Sequence, residues 1–143
     1  MSDVVVTRRI GATPATVFSF FTDVERWTAW QGVDGLIDAG PGGVFRIRMP
    51  GAQVAAGRFV ELVPDRRIVF TWGWESDESP VPPGSTTVTI ELEPEEEGTL
   101  VRLTHAGLAP PPVAEHHRAG WELYLDRLRI RAEGGDLGPA PVQ

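Results

Sequence analysis

The sequence predicts an α+β domain in which a curved antiparallel sheet of about six to seven strands wraps around one long C-terminal helix, with two short helices after the first strand. Three observations predict it. Ala114 to about Ala132 is the only long amphipathic helical stretch; at ~100° per residue Ala114, His117, Trp121, Tyr124, Leu125, Leu128 and Ala132 share one face. Most of what precedes it is short, alternates in polarity and is broken by Gly- and Pro-bearing turns. A sheet with one apolar face needs a cover, and this helix is the one available.

Asp3 to Ile10 is rich in β-branched residues and predicts the first strand. Thr13 followed by Pro14 reads as an N-cap and first helical position, opening a short helix that carries Val17, Phe18 and Phe21. Asp23 starts a second short helix, Val24 to Trp30, with Trp27 and Trp30. The pair reads as a V-shaped support rather than a core helix. Gly35 to Asp38 is a brief strand, and Val44 to Met49 places Phe45, Ile47 and Met49 opposite Arg46 and Arg48. In Gly57 to Val63 both faces carry apolar residues, so its inward face and the direction of Glu61 stay open. Arg67 to Glu75 groups Ile68, Phe70, Trp72 and Trp74. The Pro-rich stretch from Ser76 to Ser85 is long for a connection between antiparallel neighbours and reads as either a surface loop or a lid. Thr86 to Glu93 and Thr99 to His105 are the last strands, joined by an acidic turn from Pro94 to Gly98. Ala109 to Pro112 stiffens the entry into the helix.

At 143 residues the chain is long enough for one domain with its own core. That domain is expected over 1–133, with 134–143 a frayed tail. The chain has no cysteine, which excludes disulfides and thiolate chemistry. A net charge of −7, with all 13 basic residues arginine and scattered, argues against a nucleic-acid or anionic-membrane surface. The N-terminus lacks the regions of a signal peptide and no apolar run suffices for a membrane span, so a cytoplasmic location is expected.

Several pieces, in this order and spacing, resemble one known superfamily. They are Ala12-Thr13-Pro14 with Val17-Phe18, Thr22-Asp23 with Trp30, and Gly42-Gly43 with Phe45. Gly57 through Pro64, Ile68 through Trp72, and Gly98-Thr99 through Leu108 continue the match, and Gly120-Trp121 with Leu125 and Leu128 closes it. The chain is similar to the START-like (SRPBCC) superfamily with the helix-grip fold, and within it to the branch of activators of heat-shock-protein-90 ATPase. The resemblance spans Val4 to Arg131 and implies the helix-grip arrangement. It does not single out an activity, because the superfamily includes lipid and hormone carriers, aromatic polyketide cyclases and proteins with no assigned role. The co-chaperone work of the name-giving proteins also involves a separate N-terminal domain that is not seen in this sequence.

The candidate ligand-binding residues are Trp30, Met49, Phe70, Trp72, His105, His117, Trp121, Tyr124 and Leu125, read as lining a cavity between sheet and helix. Indole N–H and phenol O–H groups placed there give a ligand a polar handle. His105 and His117 are expected at the same end of that cavity, either bonded to nearby backbone or forming a polar mouth. Glu115 and His116 point elsewhere by helical phase. No Ser-His-Asp order, phosphate-binding glycine loop or HExxH motif appears, so no catalytic residue, metal or cofactor is expected. The expected function is binding of a small hydrophobic or aromatic molecule. The alternatives are an enzyme of the polyketide cyclase/aromatase type, with His105, His117 or Tyr124 as acid or base, and a partner-binding module. For the last, and for a homodimer, Leu123 and Ile130 on the outer helix face are the only hint.

Overall fold

A computed structural model of the protein describes residues 3–51, 53–76 and 78–134. The predicted tail therefore lies outside the described residues except for Gly134. The elements follow as β1 (Val4–Ile10), α1 (Pro14–Thr22), α2 (Val24–Trp30), β2 (Asp34–Ile37), β3 (Val44–Arg48), β4 (Val54–Val63), β5 (Arg67–Trp74), β6 (Thr86–Glu95), β7 (Gly98–Ala106) and α3 (Pro111–Ala132). Seven strands form one sheet in the order β1-β7-β6-β5-β4-β3-β2, every pairing antiparallel. The predicted α+β helix-grip arrangement is the one observed.

Local chemistry sets the helix starts. Thr13 Oγ1 accepts from the Thr16 N–H at 3.2 Å, and an Asp23 carboxylate oxygen accepts from the Glu25 N–H at 2.9 Å. The two short helices do more than prop the sheet. Phe21, Trp27 and Trp30 are fully buried, and Trp27 stacks on Phe45 with ring centroids 5.5 Å apart. They plug one end of the sheet–helix space because two short helices carrying these three large aromatics between them have no other way to shed that surface. Helix α3 begins at Pro111, three residues before the predicted Ala114, with prolines in its opening positions where no intrahelical N–H is needed. Its face of Ala114, His117, Trp121, Tyr124, Leu125 and Leu128 is buried as predicted. Leu123 and Ile130 are half-buried rather than exposed. The large apolar side chains that are exposed among the described residues are Val5, Val33, Leu36, Val60 and Val63, none of them on α3.

The ambiguous strand proves to contain a register shift. Phe59 pairs with Phe70 but Glu61 pairs with Val69, so Val60 is the extra residue of a bulge. Phe59 before the bulge and Leu62 after it both pack on the core, while Glu61 faces out to an ion pair with Arg67 at 2.8 Å. The strand also starts earlier than predicted, at Val54, where Ala55 and Gly57 let β3, β4 and β5 crowd together. A side chain at Gly57 would overlap the Thr71 carbonyl oxygen. The acidic connection is tighter than predicted: β6 runs to Glu95, leaving Glu96 and Glu97 as the tip.

The Pro-rich connection after β5 is strapped down at Val81 and Pro82. The Trp74 N–H donates to the Val81 carbonyl at 2.7 Å, Val81 is buried, and a Cβ on Gly73 would overlap the Pro82 carbonyl oxygen. Gly73 is needed for this close backbone approach.

Candidate functional site

Most of the space between sheet and helix is filled. Phe45, Phe59, Phe70 and Trp72 form a continuous aromatic layer under α3, and Trp72 meets Trp121 with centroids 5.0 Å apart. What remains is a cleft of about 40 Å³ lined by Gln31, Met49, Trp72, Trp74, His117, Trp121 and Tyr124, with Pro50, Gln53, His116 and Gly120 at its margin. A cavity that holds benzene is several times larger, about 150 Å³. Next to the cleft lies an open groove of about 460 Å³ between residues 75–76 and 78–81 on one side and the first turns of α3 on the other. Gln53, Trp74, His116 and His117 border both spaces.

Of the predicted site residues, Met49, Trp72, His117, Trp121 and Tyr124 line the cleft. Trp30, Phe70 and Leu125 do not; each is fully buried in the core. Trp30 lies between Phe21 and Trp27, and its indole N–H donates to the Phe20 carbonyl at 3.1 Å. His105 also stays off the cleft wall, buried behind Trp121. His116, expected to point away, borders both spaces because α3 starts early enough for its first two turns to flank the groove. Trp74 was readable from its alternation with Trp72. Gln31 carried no comparable signal: it is the residue ending α2, and only the fold brings it against α3 and β5.

The two histidines do come together, their rings perpendicular with centroids 5.4 Å apart. Their protonation follows from their partners. The Trp121 indole N–H can only donate, so His105 Nδ1 accepts it at 2.9 Å and the ring proton sits on Nε2. That N–H donates to Thr86 Oγ1 at 2.8 Å, and the Thr86 hydroxyl donates onward to the Trp72 carbonyl. His117 is the opposite tautomer: Nε2 accepts from the Trp74 indole at 3.0 Å and Nδ1–H donates to the Val113 carbonyl at 2.8 Å. Burial, reinforced by the neighbouring His117, lowers the His105 pKa to about 3. Burial also lowers that of His117, opposed by the Val113 carbonyl and aided by His116. Burial raises that of the Tyr124 phenol. Both imidazoles are thus neutral, with every ring nitrogen engaged.

Among the described residues, no group of three or more His, Asp or Glu side chains is placed to hold a metal ion, and no helix is long and apolar enough to cross a membrane.

The profile of the family described as Activator of Hsp90 ATPase homolog 1-like protein matches residues 11–133. None of the curated proteins compared with the chain matches it. Among solved structures, an AHSA1-like protein from Rhizobium etli is 40% identical over 99% of this chain and 89% of its own, with a TM-score of 0.75. CalU16 from Micromonospora echinospora is 28% identical over 96% of this chain and 77% of its own, with a TM-score of 0.75. The Aha1 dimer from Colwellia psychrerythraea shares the fold, with 23% identity, coverage of 94% and 98%, and a TM-score of 0.81. With the profile covering most of its length, the chain belongs to the family of Activator of Hsp90 ATPase homolog 1-like proteins.

Proposed function

We propose that this protein binds a small, largely apolar molecule, with its body in the groove beside residues 78–81 and one narrow end in the cleft at Trp72. The observation that carries the reading is the shared wall: Gln53, Trp74, His116 and His117 border the cleft and the groove alike. A groove of about 460 Å³ has the size of a small-molecule site, and Trp74, Pro80, Val81, Pro112 and Val113 give it apolar surface. Burial of that surface drives binding at ~25 cal/mol per Å² before the costs of association. The ligand sits at one end of the sheet–helix space rather than in its middle, where aromatic rings already pack.

Binding is favoured over catalysis because His105 and His117 have no ring nitrogen left for proton transfer. The test is titration with the neutral dye 6-acetyl-2-dimethylaminonaphthalene, whose rings suit the groove and whose slim acetyl end suits the cleft. Saturable one-to-one fluorescence enhancement is expected for the native protein and its loss in Gly120→Leu, which adds a side chain at the cleft margin. Leucine is the better helix former by about 1 kcal/mol, and circular dichroism and a cooperative melt select the folded variant for the comparison. Non-saturable enhancement, or equal binding by the folded variant, overturns the reading.

A further inference from the structure

The five tryptophans are not equivalent as hydrogen-bond donors. Four indole N–H groups donate to protein acceptors: Trp27 to Gln31 Oε1 at 2.8 Å, Trp30 to the Phe20 carbonyl, Trp74 to His117 Nε2 and Trp121 to His105 Nδ1. The Trp72 indole N–H has no protein partner, and among the described residues it is the only buried side-chain nitrogen or oxygen of which this is true. Trp72 is 2% exposed and lines the cleft. A buried donor left unpaired costs about 1–3 kcal/mol, so this atom favours whatever supplies an acceptor.

The rest of the inner wall asks for the same chemistry. Gln31 is also buried and lines the cleft. Its carboxamide oxygen accepts from Trp27, which can only donate, and this fixes the amide's orientation and leaves its NH₂ as a donor. His117 also lines the cleft, and its acceptor nitrogen, Nε2, is already taken by Trp74. Two donors thus line the cleft, the Trp72 indole N–H and the Gln31 NH₂, beside the Tyr124 hydroxyl, which can donate or accept.

Resting on the binding site proposed above, we infer that Trp72 Nε1 is its specificity-determining group and that the ligand enters the cleft with an acceptor oxygen first, a ketone, quinone or ether rather than a hydrocarbon end. The cleft of about 40 Å³ admits such a terminal group but not a ring. Selection then works by the deep hydrogen bond, while the groove accepts apolar bodies of varied outline.

Two probes of nearly equal shape test this: 2-acetylnaphthalene, which has the carbonyl, and 2-isopropylnaphthalene, which does not. Affinities are measured by tryptophan fluorescence, and the Trp72 indole resonance is followed in nitrogen-15 correlation spectra of the native protein. The acetyl probe should bind about fivefold more tightly, as one neutral hydrogen bond provides. It should also move the Trp72 N–H proton downfield while the isopropyl probe leaves it in place. Trp72→Phe should erase the preference without weakening the isopropyl probe; if that variant fails to fold, the native spectra decide alone. Equal affinities, an unmoved Trp72 resonance, or a preference that survives Trp72→Phe would overturn the recognition and leave the site standing. Binding of neither probe would overturn the site and the recognition with it.

Discussion

Thr86→Val probes the polar network behind the cleft with little change of shape. Thr86 is buried, and its hydroxyl is the link between His105 Nε2–H and the Trp72 carbonyl, at 2.8 Å from each. Valine removes the link. His105 cannot respond by moving its proton to Nδ1, because the Trp121 indole already points a donor there at 2.9 Å. The result is a buried N–H with no acceptor, a loss of about 2 kcal/mol. For a chain of this length that is a fall of roughly 7 °C in Tm. Urea unfolding followed by tryptophan fluorescence should show a lower midpoint with an unchanged slope, since the surface exposed on unfolding is the same. Thr86→Ser keeps the hydroxyl and should recover most of the loss. Stability of Thr86→Val within about 0.5 kcal/mol of the native protein, the ordinary scatter of uneventful substitutions, would refute the role given to the hydroxyl. So would Thr86→Ser behaving no better than Thr86→Val.

Other perturbations follow from the same geometry. The folded state holds His105 neutral down to a pKa of about 3, below the ordinary 6.5, so its contribution is complete above 6.5 and is lost as pH falls toward 3. His117, also lowered, acts in the same direction. The folding equilibrium should drop close to tenfold per pH unit in that window from His105 alone, and His105→Gln should flatten the slope measured by denaturant titration at several pH values. Gly73→Ala should drive the Pro82 carbonyl off β5, costing about 1–3 kcal/mol and weakening dye binding in the groove; unchanged binding would show that the strap does not shape the groove. Trp74→Phe removes the donor to His117 Nε2 and opens the passage between cleft and groove. The His117 pKa should then rise toward 6.5 in an NMR titration, and an unmoved value would mean that Trp74 does not shield it.

The grip of the sheet on α3 was legible because two periodicities carry it: the helical face from Ala114 to Leu128, and the strand alternation of Phe45-Ile47 and Ile68-Phe70-Trp72. The caps at Thr13 and Asp23 were legible for a similar reason, since their side chains act on backbone two or three residues away. The bulge at Val60 was not, because apolar residues on both faces of β4 hide a register shift that only pairing with β5 reveals. The site was legible in part. Residues on one face could be listed from the pattern, but not which of them pack solidly against each other. Trp30, Phe70 and Leu125 satisfy the same pattern as Trp72 and Trp121 yet are enclosed by α1, α2 and neighbouring rings. Cavity size depends on how rings tilt and stack, and the partner of each indole on contacts distant in sequence, such as Trp74 with His117. Neither leaves a local trace in the chain.

Occupancy of the cleft and groove by a small molecule can be read as mass. Native mass spectrometry of the protein purified from its own host under mild conditions, beside Gly120→Leu prepared identically, tests it most directly. The native protein should carry a discrete added mass, with a carbonyl or ether oxygen, that is missing from the folded variant. Bare protein in both samples, after exposure to an extract of the same cells, or the same added mass retained by Gly120→Leu, would contradict it.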